Sequence, residues 1–109
     1  MASIPQAVMD IVKAYISKVG KEIPIKKAVV FGSYANGTFD EGSDVDVAIF
    51  SDYFEDQSRV DGITYLLIQA MEYNMDLEPI AFTNKEYEER LGIVDEIIRS
   101  GVEVQVVDP

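Results

Sequence analysis

The chain has 109 residues, 48% of them hydrophobic, no cysteine, no histidine and a net charge of −11. That length and apolar content suit one compact domain over residues 1–109 and exclude wholesale disorder, while the acidity disfavours binding to a nucleic-acid backbone. Without cysteine or histidine there are no disulfides, Ser-His triads or His-ligated zinc sites, so any metal has to be held by oxygen, as magnesium, manganese and calcium are.

Ser3-Ile-Pro-Gln6 reads as a capping box with an early proline, opening a helix with apolar pairs at Ala7/Val8, Ile11/Val12 and Tyr15/Ile16, then Val19. Gly20 is expected as its C′ residue. Five lysines against Asp10 and Glu22 make residues 1–27 net positive, so the negative charge is concentrated in the remainder. Ala28-Val-Val-Phe31 is a short apolar run stopped by Gly32, as in a buried strand, and 37–43 reads as a loop. From Asp44 to Phe50 the pattern alternates, with Val45, Val47 and Ile49 on one face and Asp44, Asp46, Ala48 and Phe50 on the other.

An acidic loop over 51–58 leads to a helix with Val60, Ile63, Leu66/Leu67, Ala70 and Met71. Leu77 to Phe82 is a further strand. Thr83-Asn-Lys-Glu86 is a second capping box, and the helix it opens is expected to run through Tyr87, Leu91, Val94 and Ile98 to Gly101, with Gly92 a weak point in its middle. Val102, Val104 and Val106 alternate with polar residues as a last strand. The order α-β-turn-β-α-β-α-β predicts an α/β chain of the α+β type, with one mixed sheet of about four strands and helices packed on it.

Chemistry concentrates in residues 31–50. Taken alone, Gly32-Ser33 is an ordinary turn and Asp44-x-Asp46 a strand with a solvated face. Together they say more. A glycine ending a buried strand lets phosphate approach the backbone, and a helical turn starting at Ser33 would offer free N–H groups and a hydroxyl to an anion. Asp44 and Asp46 leave the same face of a strand about 7 Å apart, within reach of metal ions ~3.5–4 Å from each other. Such a pair would be strained by repulsion and desolvation without cations. A calcium loop fits less well, because the chain runs on into Val47-Ala48-Ile49 where further oxygen ligands would be needed.

Gly32-Ser33, ten intervening residues and Asp44-x-Asp46 resemble the signature of the DNA polymerase β-like nucleotidyltransferases, in particular the minimal nucleotidyltransferase proteins. Leu77-Glu78-Pro79, Phe82 and the segment Ile97–Val102 are similar to the closing half of those proteins, so the resemblance spans nearly the whole chain. It implies that Asp44 and Asp46 bind two Mg2+ ions, for which Mn2+ can substitute. Glu78 on a neighbouring strand would be the third carboxylate, with Asp76 as the runner-up. Gly32 and Ser33 would contact the phosphates of a nucleoside triphosphate. In one departure, Asn36 stands where members often carry a basic residue.

The resemblance further implies transfer of a nucleoside monophosphate, AMP from ATP, to an acceptor hydroxyl. The implied acceptor is an all-helical HEPN-type partner protein, towards which this chain would act as an antitoxin, in a homo- or hetero-oligomer. The alternative is a non-catalytic antitoxin that neutralises the partner by masking it. Tyr53, Phe54 and Tyr73, expected to be exposed, are candidates for that interface. No apolar run reaches the length of a membrane span, and the first residues lack the character of a secretory signal. The expected location is the cytoplasm.

Overall fold

The computed structural model describes residues 4–106. Elements follow in the order α1 (Gln6–Gly20), β1 (Lys27–Phe31), α2 (Ser33–Asn36), β2 (Val45–Phe50), a 3-10 turn (Asp52–Phe54), α3 (Arg59–Ala70), β3 (Leu77–Phe82), α4 (Asn84–Glu89), α5 (Ile93–Ser100) and β4 (Val102–Val104). The four strands form one mixed sheet ordered β3-β2-β1-β4, in which β2 and β3 are parallel and the other neighbours antiparallel. This is the α+β architecture the sequence pattern calls for.

Strand alternation sends side chains to two unequal faces. Ala28, Val30, Val45, Val47, Ile49, Leu77, Ala81 and Val104 point into the larger core, where they meet Val8, Val12, Tyr15, Ile16 and Val19 of α1 and Leu66 and Ala70 of α3. The Tyr15 hydroxyl, wholly buried there, donates to the Leu66 carbonyl at 2.8 Å, so the α1–α3 contact carries a satisfied polar group. On the opposite face Val29, Ala48, Phe50 and Phe82 pack against Val94 and Ile97 of α5, with Tyr87 of α4 alongside.

Local chemistry sets the helix ends. The Ser58 hydroxyl accepts from the Asp61 N–H at 3.0 Å at the start of α3. Thr83 and Glu86 form the expected reciprocal capping box on α4. Gly62 is needed for closeness: a Cβ there would stand 2.9 Å from that of Ala81, so α3 lies directly on β3.

Several expectations are corrected. The helix foreseen from Thr83 to Gly101 is two helices, because the chain turns at Arg90 and Gly92, both at positive φ. Leu91 falls in that break and is exposed. α1 runs through Gly20 and is capped at Lys21, and its N-cap is Pro5, with no side-chain cap bond. Ser3, the first residue of the foreseen capping box, lies outside the described residues. Phe54 is buried rather than exposed, because the 3-10 turn folds it inward, whereas Tyr53 is open to solvent. Tyr73 is half-buried, edge-on to Tyr15, with its hydroxyl donating to the Ala14 carbonyl. β4 stops at Val104, short of Val106. Among the described residues no helix is long and apolar enough to cross a membrane.

Candidate active site

β1 ends at Phe31, paired with Asp46 of β2, and Asp46 is in turn paired with Glu78 of β3. The residue after Phe31 is Gly32, at φ 75° and ψ −148°, a conformation that suits glycine alone. A Cβ at Gly32 would collide with Asp46 Oδ2. The glycine bend is thus pressed against a carboxylate that lies fourteen residues further along the sequence, on the neighbouring strand.

From Gly32 the chain enters the single turn α2. The Ala35 and Asn36 N–H groups both return to the Gly32 carbonyl, at 3.1 and 3.0 Å, which leaves those of Ser33 and Tyr34 without a helical acceptor. Tyr34 is buried and stacks on Phe39 at 4.5 Å, which fastens the turn to the core. A second turn follows, in which Asp40 Oδ1 accepts from the Gly42 N–H and the Asp40 N–H donates to the Ser43 hydroxyl, both at 2.9 Å. It delivers Asp44 to the start of β2. The strand itself begins one residue later than expected, with the Val45 N–H donating to the Asp76 carbonyl at 2.8 Å.

Asp44, Asp46 and Glu78 adjoin one another at this end of the sheet. Glu78 is within hydrogen-bonding reach of both aspartates, and its carboxyl is held above the usual carboxylate range by loss of solvent first, then by the charges of Asp44 and Asp46. Asp46 is raised as well, mainly by burial and further by Asp44, against a lowering contact from Glu78. Among the described residues none of the ion pairs involves these acids. Nor do any three of them stand as a ready-made metal cage.

The donor set fits a hard divalent cation: it is all oxygen, no base among the described residues is paired with it, and it is cradled by a residue with no Cβ. Two openings flank it. A groove of about 250 Å³ is lined by Asp46, Glu78, Pro79 and Ile80 together with Ile63 and Leu67 of α3. A smaller one of about 110 Å³ joins Gly32 and Asn36 to Ile93, Glu96, Ile97 and Ser100.

Asp76 does not share the pairing of Asp46. It precedes β3 and lines a separate depression with Glu41 and Ser43. Lys27 lies at the far end of β1, opposite Phe50 and ion-paired with Glu103, and Lys26 rests over the Tyr87 ring. Neither reaches the acids. The sequence reading missed Ile63, Leu67 and Ile80 as neighbours of the carboxylates, and only the excess of apolar residues around α3 could have signalled them.

The sequence profile described as the nucleotidyltransferase domain matches residues 10–106. Two crystal structures share the fold. One is of a Sulfolobus solfataricus protein assigned as a nucleotidyltransferase, with a TM-score of 0.65 and 18% identity over 87% of this chain and 77% of that one. The other, of a protein with the same assignment, gives a TM-score of 0.54 and 24% identity over 89% of this chain and 97% of that one. No curated protein matches the chain.

Proposed function

We propose that this chain, which belongs to the nucleotidyltransferase domain family, transfers a nucleoside monophosphate from a nucleoside triphosphate to an acceptor hydroxyl. The reading is carried by one observation. Asp46 and Glu78 stand side by side on parallel strands with Asp44 against them, and Gly32 packs onto Asp46 where any side chain would collide.

In this reading Asp44, Asp46 and Glu78 hold two divalent cations, Mg2+ with Mn2+ as substitute. When bound, these cations supply neutralisation of the phosphate charge and a lowered pKa for the attacking hydroxyl. The N–H groups of Ser33 and Tyr34, which have no helical acceptor, the Ser33 hydroxyl and the close approach allowed by Gly32 bind and orient the phosphates. The acceptor oxygen attacks the α-phosphorus in line, its proton leaving towards Glu78. A new P–O bond forms, the bond to the β-phosphate oxygen breaks, and pyrophosphate departs. The donor we favour is ATP, and the acceptor we favour is a hydroxyl on an all-helical HEPN-type protein, in an antitoxin role in the cytoplasm.

A second reading, a non-catalytic antitoxin that masks its partner, is favoured by Asn36. This residue lines the opening next to Gly32, where members of the resembled family often place a base. Incubation with α-labelled ATP, Mg2+ and a HEPN-type protein separates the two. Label on the partner, lost in Asp46→Asn while the fold persists, supports transfer. A complex that forms without label supports masking, and label transfer by Asp46→Asn at the wild-type rate would rule out the assigned site.

A further inference from the structure

A surface helix ordinarily turns a polar side to solvent. α3 does not. Gly62, Leu66 and Ala70 face the core, yet Val60, Leu67, Ile68 and Met71 on the outer side are exposed by 70, 42, 62 and 79%. Helical spacing joins them with Ile63 into one stripe along the helix. The stripe runs to the carboxylates, because Ile63 and Leu67 share a groove with Asp46 and Glu78. Asp61 borders it on one side and the Asp46 and Glu78 carboxylates on the other, while Glu72, just beyond the helix, is ion-paired with Lys18. The basic residue of the helix, Arg59, is turned away, ion-paired with Glu86 and bonded to the Ala81 carbonyl.

We propose that the outer face of α3 docks the acceptor. The occupant is a protein segment whose apolar side chains are flanked by lysine or arginine and which carries a hydroxyl to Glu78. The direction of docking rests on the nucleotidyl-transfer reading, whereas the surface does not. Charge identifies the occupant. A second copy seated face to face would bring acidic borders together on chains of net charge −11, and a nucleic acid or an anionic membrane would meet the same repulsion. A basic, amphipathic protein segment matches both the apolar stripe and its rim. Continuity with the groove explains why the stripe lies here: an acceptor held along α3 reaches the reacting centre without a second binding domain.

The test uses two fluorescent amphipathic peptides with the same leucine face, one flanked by lysines and one by glutamates, titrated against the wild-type chain and against Ile68→Ser/Met71→Ser. Both substituted side chains are exposed and neither lines the groove, so the melting temperature and the affinity for Mg-ATP should be unchanged. The lysine-flanked peptide should bind the wild type, bind the variant at least tenfold more weakly, and outcompete the glutamate-flanked one. Equal binding to wild type and variant, or equal binding of both peptides, overturns the proposal. So does a doubling of the wild-type mass in solution that the variant abolishes, which would make a second copy the occupant. Loss of Mg-ATP binding by the wild type would count against the nucleotidyl-transfer reading alone, since peptide binding is measured without nucleotide.

Discussion

β2 and β3 run side by side for six residues, and the two ends of their shared outer face differ sharply. At one end Phe50 stacks on Phe82 at 5.2 Å, Tyr87 meets Phe50 edge-on, and the Arg59 guanidinium lies 4.9 Å over Phe82. At the other end the same pairing brings Asp46 against Glu78, with Asp44 alongside and no cation among the described ion pairs. One end is built to hold the sheet together. The other spends stability on a concentrated negative charge, which is the expected mark of a binding centre rather than of packing.

Breaking the aromatic end should cost most. Phe50→Ala empties a fully buried position and should destabilise the protein by about 3–5 kcal/mol in denaturant unfolding. Gly32→Ala comes next, since the backbone there is of a kind reserved for glycine and the new methyl meets Asp46. About 1–3 kcal/mol should be lost, together with binding of Mn2+ followed by calorimetry. Thr83→Ala removes the α4 cap beside the aromatic end and should cost about 1 kcal/mol, measured by thermal unfolding.

The smallest effect, in pH, sharpens the comparison most because its sign reverses between the ends. Asp46 has a folded pKa raised above the ordinary 3.8, so the folded state holds its proton more tightly. Its ionisation therefore weakens the metal-free protein as pH rises from the unfolded value through the raised folded one. Glu86, beside Arg59, behaves oppositely. Burial pushes it up, but the Arg59 guanidinium and the Thr83 N–H outweigh that and hold it below 4.5. Its contribution is present above the unfolded value and lost as pH falls through the depressed folded one. Melting curves between these limits should show Asp46→Asn flattening one slope and Glu86→Gln the other. Changes of the same sign in the two variants would contradict the contrast.

Much of the carboxylate end was legible in the sequence. Alternation from Val45 to Phe50 puts Asp46 with Ala48 and Phe50 on one face, and a glycine after a buried strand marks the bend. The Thr83–Glu86 box was legible too, because a cap is a local interaction over four residues. What failed was non-local. Periodicity shows that Val60, Leu67 and Met71 are apolar but not what they face, and α3 has more apolar residues than β3 and α1 can cover. Tyr87, Leu91, Val94 and Ile98 keep helical spacing across a break, because the two positive-φ residues interrupt the helix without disturbing the pattern. Phe54 follows the same logic: an acidic loop conceals a 3-10 turn that buries one aromatic ring and exposes its neighbour.

Everything turns on whether the three acids gather divalent cations. The direct measurement is the anomalous scattering of Mn2+ in crystals grown with a non-hydrolysable nucleoside triphosphate. The account predicts manganese peaks bridging the carboxylates of Asp44, Asp46 and Glu78, with phosphate oxygens against Gly32 and Ser33. Nucleotide bound elsewhere, or manganese on other acids with these three empty, would contradict it.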